Sequence, residues 1–495
     1  MILPSISARH RAFPVLSIGA ALLAVGLAGC ADMSGIDAKA HLRDADSLGL
    51  KSATFSTGAS EVDSHWWRGF GDAQLDALVD EALAGSPGIA QARARLARAQ
   101  AAIATAESAE RPQLNGAIDA TRQKFSGNYI YPAPLGGSIQ ELGTLQLNGS
   151  WELDFFGKNR AALDSALGSA NAAAAEADAA RVLLASNVAR GYVQWARLND
   201  QLAVAKRTLA QRDETLRLVR DRVSAGLDTR LELRQSEGGL PEARQQIEAL
   251  NEQIAITQHA LDALVGRPNA TQALKAPSLS SIRAVALQAD IPVDLLGRRA
   301  DIAAARWRVE AATGEVASAK TLFYPNVSLT AFVGVQSLGL DNLFKRDSQQ
   351  WGVGPAIRLP IFEGGRLRAN LRGKAADLDL AIESYNASVL DAVRDAADQV
   401  SSTQSIGRQQ AEQRDAQAAA EGAYEIAVQR YSAGLGNYLN VLTAESSVLA
   451  QRRQALDLAA RALEAQVGLA RALGGGWQPP VAVAGSAIGA NAAHP

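Results

Sequence analysis

Two hydrophobic periods alternate along the chain. From Leu145 to Phe155 apolar residues take every second position (Leu145, Leu147, Trp151, Leu153, Phe155), while Gln146, Asn148, Ser150, Glu152 and Asp154 fill the alternate ones. A period of two sends the sets to opposite faces of a strand. Leu114, Gly116, Ile118 and Ala120 do the same against Gln113, Asn115, Asp119 and Thr121. Two later runs repeat it: Val327, Leu329, Ala331, Val333 and Val335, then Trp351, Val353, Ile357, Leu359 and Ile361. The pattern predicts strands at about 113–123, 143–156, 326–336 and 350–362, near the roughly 9 to 11 residues with which a tilted strand crosses a bilayer.

The second period is helical. No Pro occurs from Gly157 to Arg222 or from Gly364 to Arg430, and at about 1.5 Å per residue each stretch would run roughly 100 Å if continuous. Leu202, Leu209, Leu216 and Val223 recur at heptad spacing, with Arg212 interrupting the seam; Leu240, Ile247, Ile254 and Leu261 follow on a return arm, and Leu442, Leu449, Leu456 and Leu463 on a later one. Antiparallel coiled-coil hairpins are expected over 158–265 and 364–473. At the first tip, Arg220 and Arg222 suit a helix C-terminus, Gly226 a left-handed stop, and Thr229 with Glu232 a capping box. Gly434 and Asn437 take the corresponding places at the second.

Self-comparison matches Arg222-Val-Ser-Ala-Gly-Leu227 with Arg430-Tyr-Ser-Ala-Gly-Leu435 at an offset of 208, and the register continues from Leu231/Leu439 to Gly266/Gly474. Farther upstream, with small shifts, Leu153-Asp-Phe-Phe156 matches Leu359-Pro-Ile-Phe362. Two tandem copies of one module are expected, at 65–266 and 293–474, joined by a connector at 267–292. The recurrence of Ser224, Ala225, Gly226 and Leu227 as Ser432, Ala433, Gly434 and Leu435 marks the tips as a docking surface, with repeat ancestry as a competing cause.

The N-terminus reads as a processed export signal over 1–29: Arg9, His10 and Arg11 flank an apolar run from Ala12 to Ala28. That run ends in Leu27-Ala28-Gly29-Cys30, which resembles a bacterial lipobox, and Cys30 is the sole cysteine. It is the expected lipid attachment site and the start of a linker, 30–64. Residues 475–495 have the small-residue composition of a mobile tail.

Composition narrows function mainly by exclusion. Lys plus Arg is 49 against 51 for Asp plus Glu, a net charge of -2, which provides no basic field for nucleic acid. Five His without ligand spacing point to no metal site and no cofactor. Gly352-x-Gly354 runs into Pro355 and a strand pattern where a dinucleotide site needs a helix, so no enzyme is expected. Four strands cannot close a barrel, since transmembrane barrels start at about eight. An open edge in hydrocarbon costs several kcal/mol per unpaired backbone group. Several chains must therefore share one barrel, unless the chain is a coiled-coil tether whose strands never enter a membrane.

Trp66-Trp-Arg-Gly-Phe-Gly-Asp72 with Leu75, Trp151-Glu-Leu-Asp-Phe-Phe-Gly-Lys158, Leu359-Pro-Ile-Phe-Glu-Gly-Gly-Arg366 and Asp294-Leu-Leu-Gly-Arg-Arg-Ala-Asp301 occur in an order and spacing that resembles the TolC-like outer membrane efflux proteins, in particular the NodT-type lipoproteins. The resemblance implies an α+β membrane protein. Its homotrimer joins four strands per protomer into a 12-stranded β-barrel, continued by an α-helical coiled-coil tunnel in the periplasm. It further implies an exit duct for small toxic compounds, with type I protein secretion as the alternative. The implied partners are an inner-membrane RND-type pump and a periplasmic adaptor meeting the two tips. The implied periplasmic gate is at Leu439, Asn440, Leu442 and Thr443, where relatives commonly place Asp at one or both of the positions held here by Asn440 and Thr443.

Overall fold

A computed structural model describes residues 33–43, 55–56, 62–285, 291–292 and 295–478. The expected signal segment, Cys30 and most of the expected tail lie outside the described residues. In chain order the elements are β1 (Phe55–Ser56), a 3-10 turn (Trp66–Phe70), α1 (Ala73–Gly85), α2 (Pro87–Ala109), β2 (Gln113–Lys124), β3 (Ile139–Leu153), α3 (Lys158–Ser224), α4 (Arg230–Val265), β4 (Ile291–Pro292), α5 (Ala300–Thr321), β5 (Asn326–Leu338), β6 (Gln349–Arg358), α6 (Arg366–Ser432) and α7 (Tyr438–Ala472). The fold is mostly helical with one small four-stranded sheet. The described residues divide into two compact units, one drawn from within 1–41, 97–171 and 306–384, the other from within 42–96, 172–305 and 385–495.

In the first unit β2, β3, β5 and β6 pair antiparallel in that order. The strands differ from expectation at their ends. β3 starts earlier, at Ile139, and stops at Leu153, short of Phe156, because Asp154 turns back to accept from the Arg160 N–H at 3.0 Å and Gly157 takes φ 78°. β6 stops at Arg358, short of 362, so Leu359 and Ile361 leave the alternating face. Pro360 has no N–H to continue a ladder and restricts the residue before it. Gly364 and Gly365, at φ 56° and 84°, then turn the chain into α6. The family-type motifs at these places are thus corner chemistry. Beneath the strands α3 and α5 approach backbone to backbone: a Cβ on Gly314 would stand 2.8 Å from Ser165 N, and one on Gly168 2.8 Å from Ala311 N.

An N-terminal strap also belongs to this unit. Ile36 is buried with Ala319, Phe323, Leu367, Leu371 and Ala375, and Asp379 Oδ1 accepts from the Lys39 and Ala40 N–H groups at 2.7 and 2.8 Å.

The second unit holds the largest core, in which Trp66, Trp67, Phe70, Leu75 and Val79 pack with Tyr192, Trp195, Leu261 and Val467. The Trp-Trp motif is structural. Its Asp72 caps α1 by accepting from Gln74 and Leu75 N–H and receives the Tyr192 hydroxyl at 3.0 Å. Arg212, the interruption in the heptad seam, is explained by its partners: it donates to Glu445 at 2.8 Å, Gly239 O at 2.9 Å and Glu242 at 2.9 Å. Arg197 donates to Asp457 at 3.0 Å, so two guanidinium–carboxylate pairs fix α3 against α7. The buried pair of Arg212 and Glu445 is better read as a register device than as a source of stability.

Candidate functional site: a two-faced sheet and two helix tips

The register decides what the sheet can do. Ile118 stands opposite Leu145, Leu145 opposite Val335, and Val333 opposite Trp351. Since paired residues share a face, the apolar positions of all four strands align into one surface, with Asn115, Asn148, Thr330 and Gln350 on the other. That apolar surface is bare within one protomer: Ile118 is 79% exposed, Trp351 77% and Val353 65%. Contiguous exposure on this scale marks a surface that belongs against lipid or another chain. β2 and β6 are the edge strands of this sheet, each with one row of backbone groups that no other described strand pairs. Among the described residues no helix is long and apolar enough to cross a membrane.

The two helix tips are built alike. Leu227 N–H reaches Arg222 O at 2.9 Å and Leu435 N–H reaches Arg430 O at 2.8 Å, while Gly226 and Gly434 take φ 72° and 76°, the left-handed stop that Gly supplies without strain. The hydroxyls of Ser224 and Ser432 donate to the carbonyls of Asp221 and Gln429 at 2.7 and 2.8 Å. Ser and Gly therefore recur for local reasons. Leu227 and Leu435, 65% and 70% exposed, have no such explanation. The returning helices start as expected, on the Thr229–Glu232 capping box and on Asn437, whose Oδ1 accepts from Asn440 N–H at 3.1 Å.

One cluster at the tips was not legible in the sequence. Arg222 donates through Nε and Nη2 to the Asp228 carboxylate at 2.8 and 3.3 Å and through Nη1 to Tyr431 O at 3.1 Å. Its guanidinium lies 4.6 Å from the Tyr431 ring centroid, and the Tyr431 hydroxyl donates to Asp228. The hydrogen bond from Arg222 holds the Asp228 carboxyl below the usual range. Burial first, then the hydrogen bond to Asp228, pushes the Tyr431 phenol well up. Asp228 aligns with Gly436 and Tyr431 with Val223, so the lock uses positions where the two copies differ. Such differences between matched copies are the signal that could have found it.

The four expected gate residues do not share one surface. Leu439, Asn440 and Thr443 are exposed, with the Thr443 hydroxyl donating to Leu439 O at 2.9 Å. Leu442 instead turns inward, onto the cluster of Val219, Tyr431, Tyr438 and Val441. Among the described residues no group of His, Cys, Asp and Glu is arranged to hold a metal ion.

A sheet with one bare apolar face, in a chain that also holds long paired helices, is what a membrane-embedded pore component would present, and comparison with known proteins agrees. Residues 78–267 and 291–475 match the outer membrane efflux protein family, and the chain belongs to that family. It is 39% identical over 365 residues to the fusaric acid resistance protein FusA of Burkholderia cepacia, covering 72% of this chain and 68% of that one. It is 34% identical over 427 residues to the multidrug resistance outer membrane protein MdtQ of Escherichia coli O6:H1, covering 84% and 88%. Among solved structures it resembles the outer membrane protein VceC of Vibrio cholerae, with a TM-score of 0.78 at 37% identity over 83% of this chain and 98% of that one. It also resembles the outer-membrane channel OprN, with a TM-score of 0.77 at 27% identity over 90% and 98%. The protein is an outer membrane efflux channel that extends into the periplasm. The tether reading is thereby set aside.

Proposed function

We propose that three copies join edge to edge, β2 of one to β6 of the next, into a 12-stranded barrel. Their α3–α4 and α6–α7 hairpins then form the periplasmic tunnel of a tripartite efflux system. The observation that carries this is the bare apolar face bounded by two open edges: lipid covers such a face, and only a closed ring of strands satisfies the edges. Tandem duplication accounts for the paired strands and hairpins. The duct is passive and not an enzyme. The resistance roles in the names of FusA and MdtQ favour small toxic organic compounds as cargo over exported protein.

Cys30 carries the lipid anchor of this proposal. An adaptor of an inner-membrane RND-type pump docks at the tips, where Leu227 and Leu435 supply exposed apolar contacts that Ser224, Ala225, Gly226 and Ser432, Ala433, Gly434 hold in place. Leu439, Asn440 and Thr443 line the closed end, with Leu442 bracing it from behind. Without a carboxylate in that stretch, the barrier works by apolar packing and dewetting.

The test is outer-membrane fractionation followed by electrophoresis with and without heating, and planar-bilayer recording of the purified protein. Heat-modifiable trimers that conduct ions are expected. A salt-extractable monomer without conductance would refute the proposal.

A further inference from the structure

On the polar face of the sheet, two glycines are roofed by side chains from neighbouring strands. Gly334 of β5 stands in register between Gln146 of β3 and Gln350 of β6. With no side chain between them, Gln350 Nε2 donates to Gln146 Oε1 at 3.1 Å, and the Gln146 amide donates in turn to Asn148. One register row along, Phe332 of β5 stands between Asn148 and Gly352. A Cβ on Gly352 would lie 2.6 Å from Phe332 Cε1, so the ring leans over the glycine. Phe332 is the one aromatic residue that the register places on this face, yet no core takes it up: it is 39% exposed. No ionisable side chain stands in either register row.

We propose that Phe332, with the linked amides of Gln146, Asn148 and Gln350, is a cargo-contact site for small, uncharged aromatic molecules. The site rests on reading this face as the wall of the conducting pore. The phenyl ring offers a stacking surface, the amides offer donors and acceptors beside it, and the absence of charge leaves ions no preference for it. Trimerisation would place three such sites in one ring. Weak binding is what conduction requires, because cargo held tightly would not leave. Gly352 is the specificity element, since any side chain there would push the ring off the wall.

The experiment is saturation-transfer NMR on the full-length oligomer in detergent, with benzamide as probe and cyclohexanecarboxamide, the same amide on a saturated ring, as control. In Phe332→Ala and Phe332→Leu the benzamide signal should fall about twofold to tenfold, while Phe332→Trp retains it and the control changes little. Equal benzamide signals in wild type and both variants, all of them heat-modifiable and conducting potassium chloride, would overturn this inference alone. A wild type that forms no conducting pore would instead overturn the pore-wall reading on which it rests.

Discussion

The Tyr431 hydroxyl donates to the Asp228 carboxylate, tying the end of α6 to the loop that closes the first hairpin. Arg222 completes the lock, with 12% of its side chain exposed and 11% of that of Asp228. Removing one donor should therefore loosen the tips without unfolding the hairpins. Tyr431→Phe is expected to cost about 0.5–1.5 kcal/mol. Asp228→Ala should cost more, because it strands the shielded guanidinium. Hydrogen exchange at residues 224–229 and 432–437 would report both, with faster exchange in the order wild type, Tyr431→Phe, Asp228→Ala. Unchanged exchange in Asp228→Ala would mean that the lock holds nothing.

Acid should release the same contact, and the direction follows from the depressed Asp228 pKa. The stabilisation is fully present above the ordinary Asp value of 3.8 and is lost as pH falls through the lower folded value. Spin labels on Ala225→Cys and Ala433→Cys should keep one narrow distance from pH 7 down to about pH 5 and broaden only in stronger acid. Broadening near neutrality would point to another titrating group.

Period-two and heptad patterns reported the sheet and the long helices because both elements bury or expose one face along their whole length. Strand ends escaped them. Pro360 and the turn at Asp154 stop pairing while the hydrophobic alternation runs on through Leu359, Ile361 and Phe155. The tip lock escaped for a different reason: Arg222 and Asp228 sit six residues apart at one tip, but Tyr431 reaches them from the other hairpin, a contact that no local spacing encodes. Arg212 was visible as a break in the heptad, but its partner Glu445 lies 233 residues away. The N-terminal strap had no periodic signature at all, since it is held by the single buried Ile36, by backbone donors to Asp379 and by scattered polar contacts such as Lys320 with Asp37.

That strap gives a third prediction. Asp379 accepts two backbone N–H groups, and those bonds, Ala40 first, hold its carboxyl below the usual range. Asp379→Ala removes the acceptor and should free Met33–His41 while leaving the sheet and helices folded. Limited trypsin digestion should then cut at Lys39 in the variant well before the wild type, with the oligomer still migrating intact. Equal cleavage rates would mean that the packing of Ile36 and the Lys320–Asp37 and Arg368–Ser34 contacts pin the strap without Asp379.

The exposed leucines of the tips can be separated from the residues that merely build them. Leu227 and Leu435 serve the turns through backbone groups, the N–H of each and the Leu435 carbonyl that accepts from Arg430 Nη2 at 3.3 Å, so Leu227→Glu with Leu435→Glu should leave both tips folded. Replacing Gly226 or Gly434 instead would strain a left-handed backbone position and confuse docking with folding. If apolar contacts at the tips recruit the adaptor, the double glutamate variant should still trimerise and conduct in bilayers but fail to co-purify with the adaptor. Loss of one well-buried leucine contact is worth roughly 1.5–3 kcal/mol, or more than tenfold in affinity per tip. Undiminished co-purification at physiological salt would move the docking surface off the tips and onto the sides of the helices.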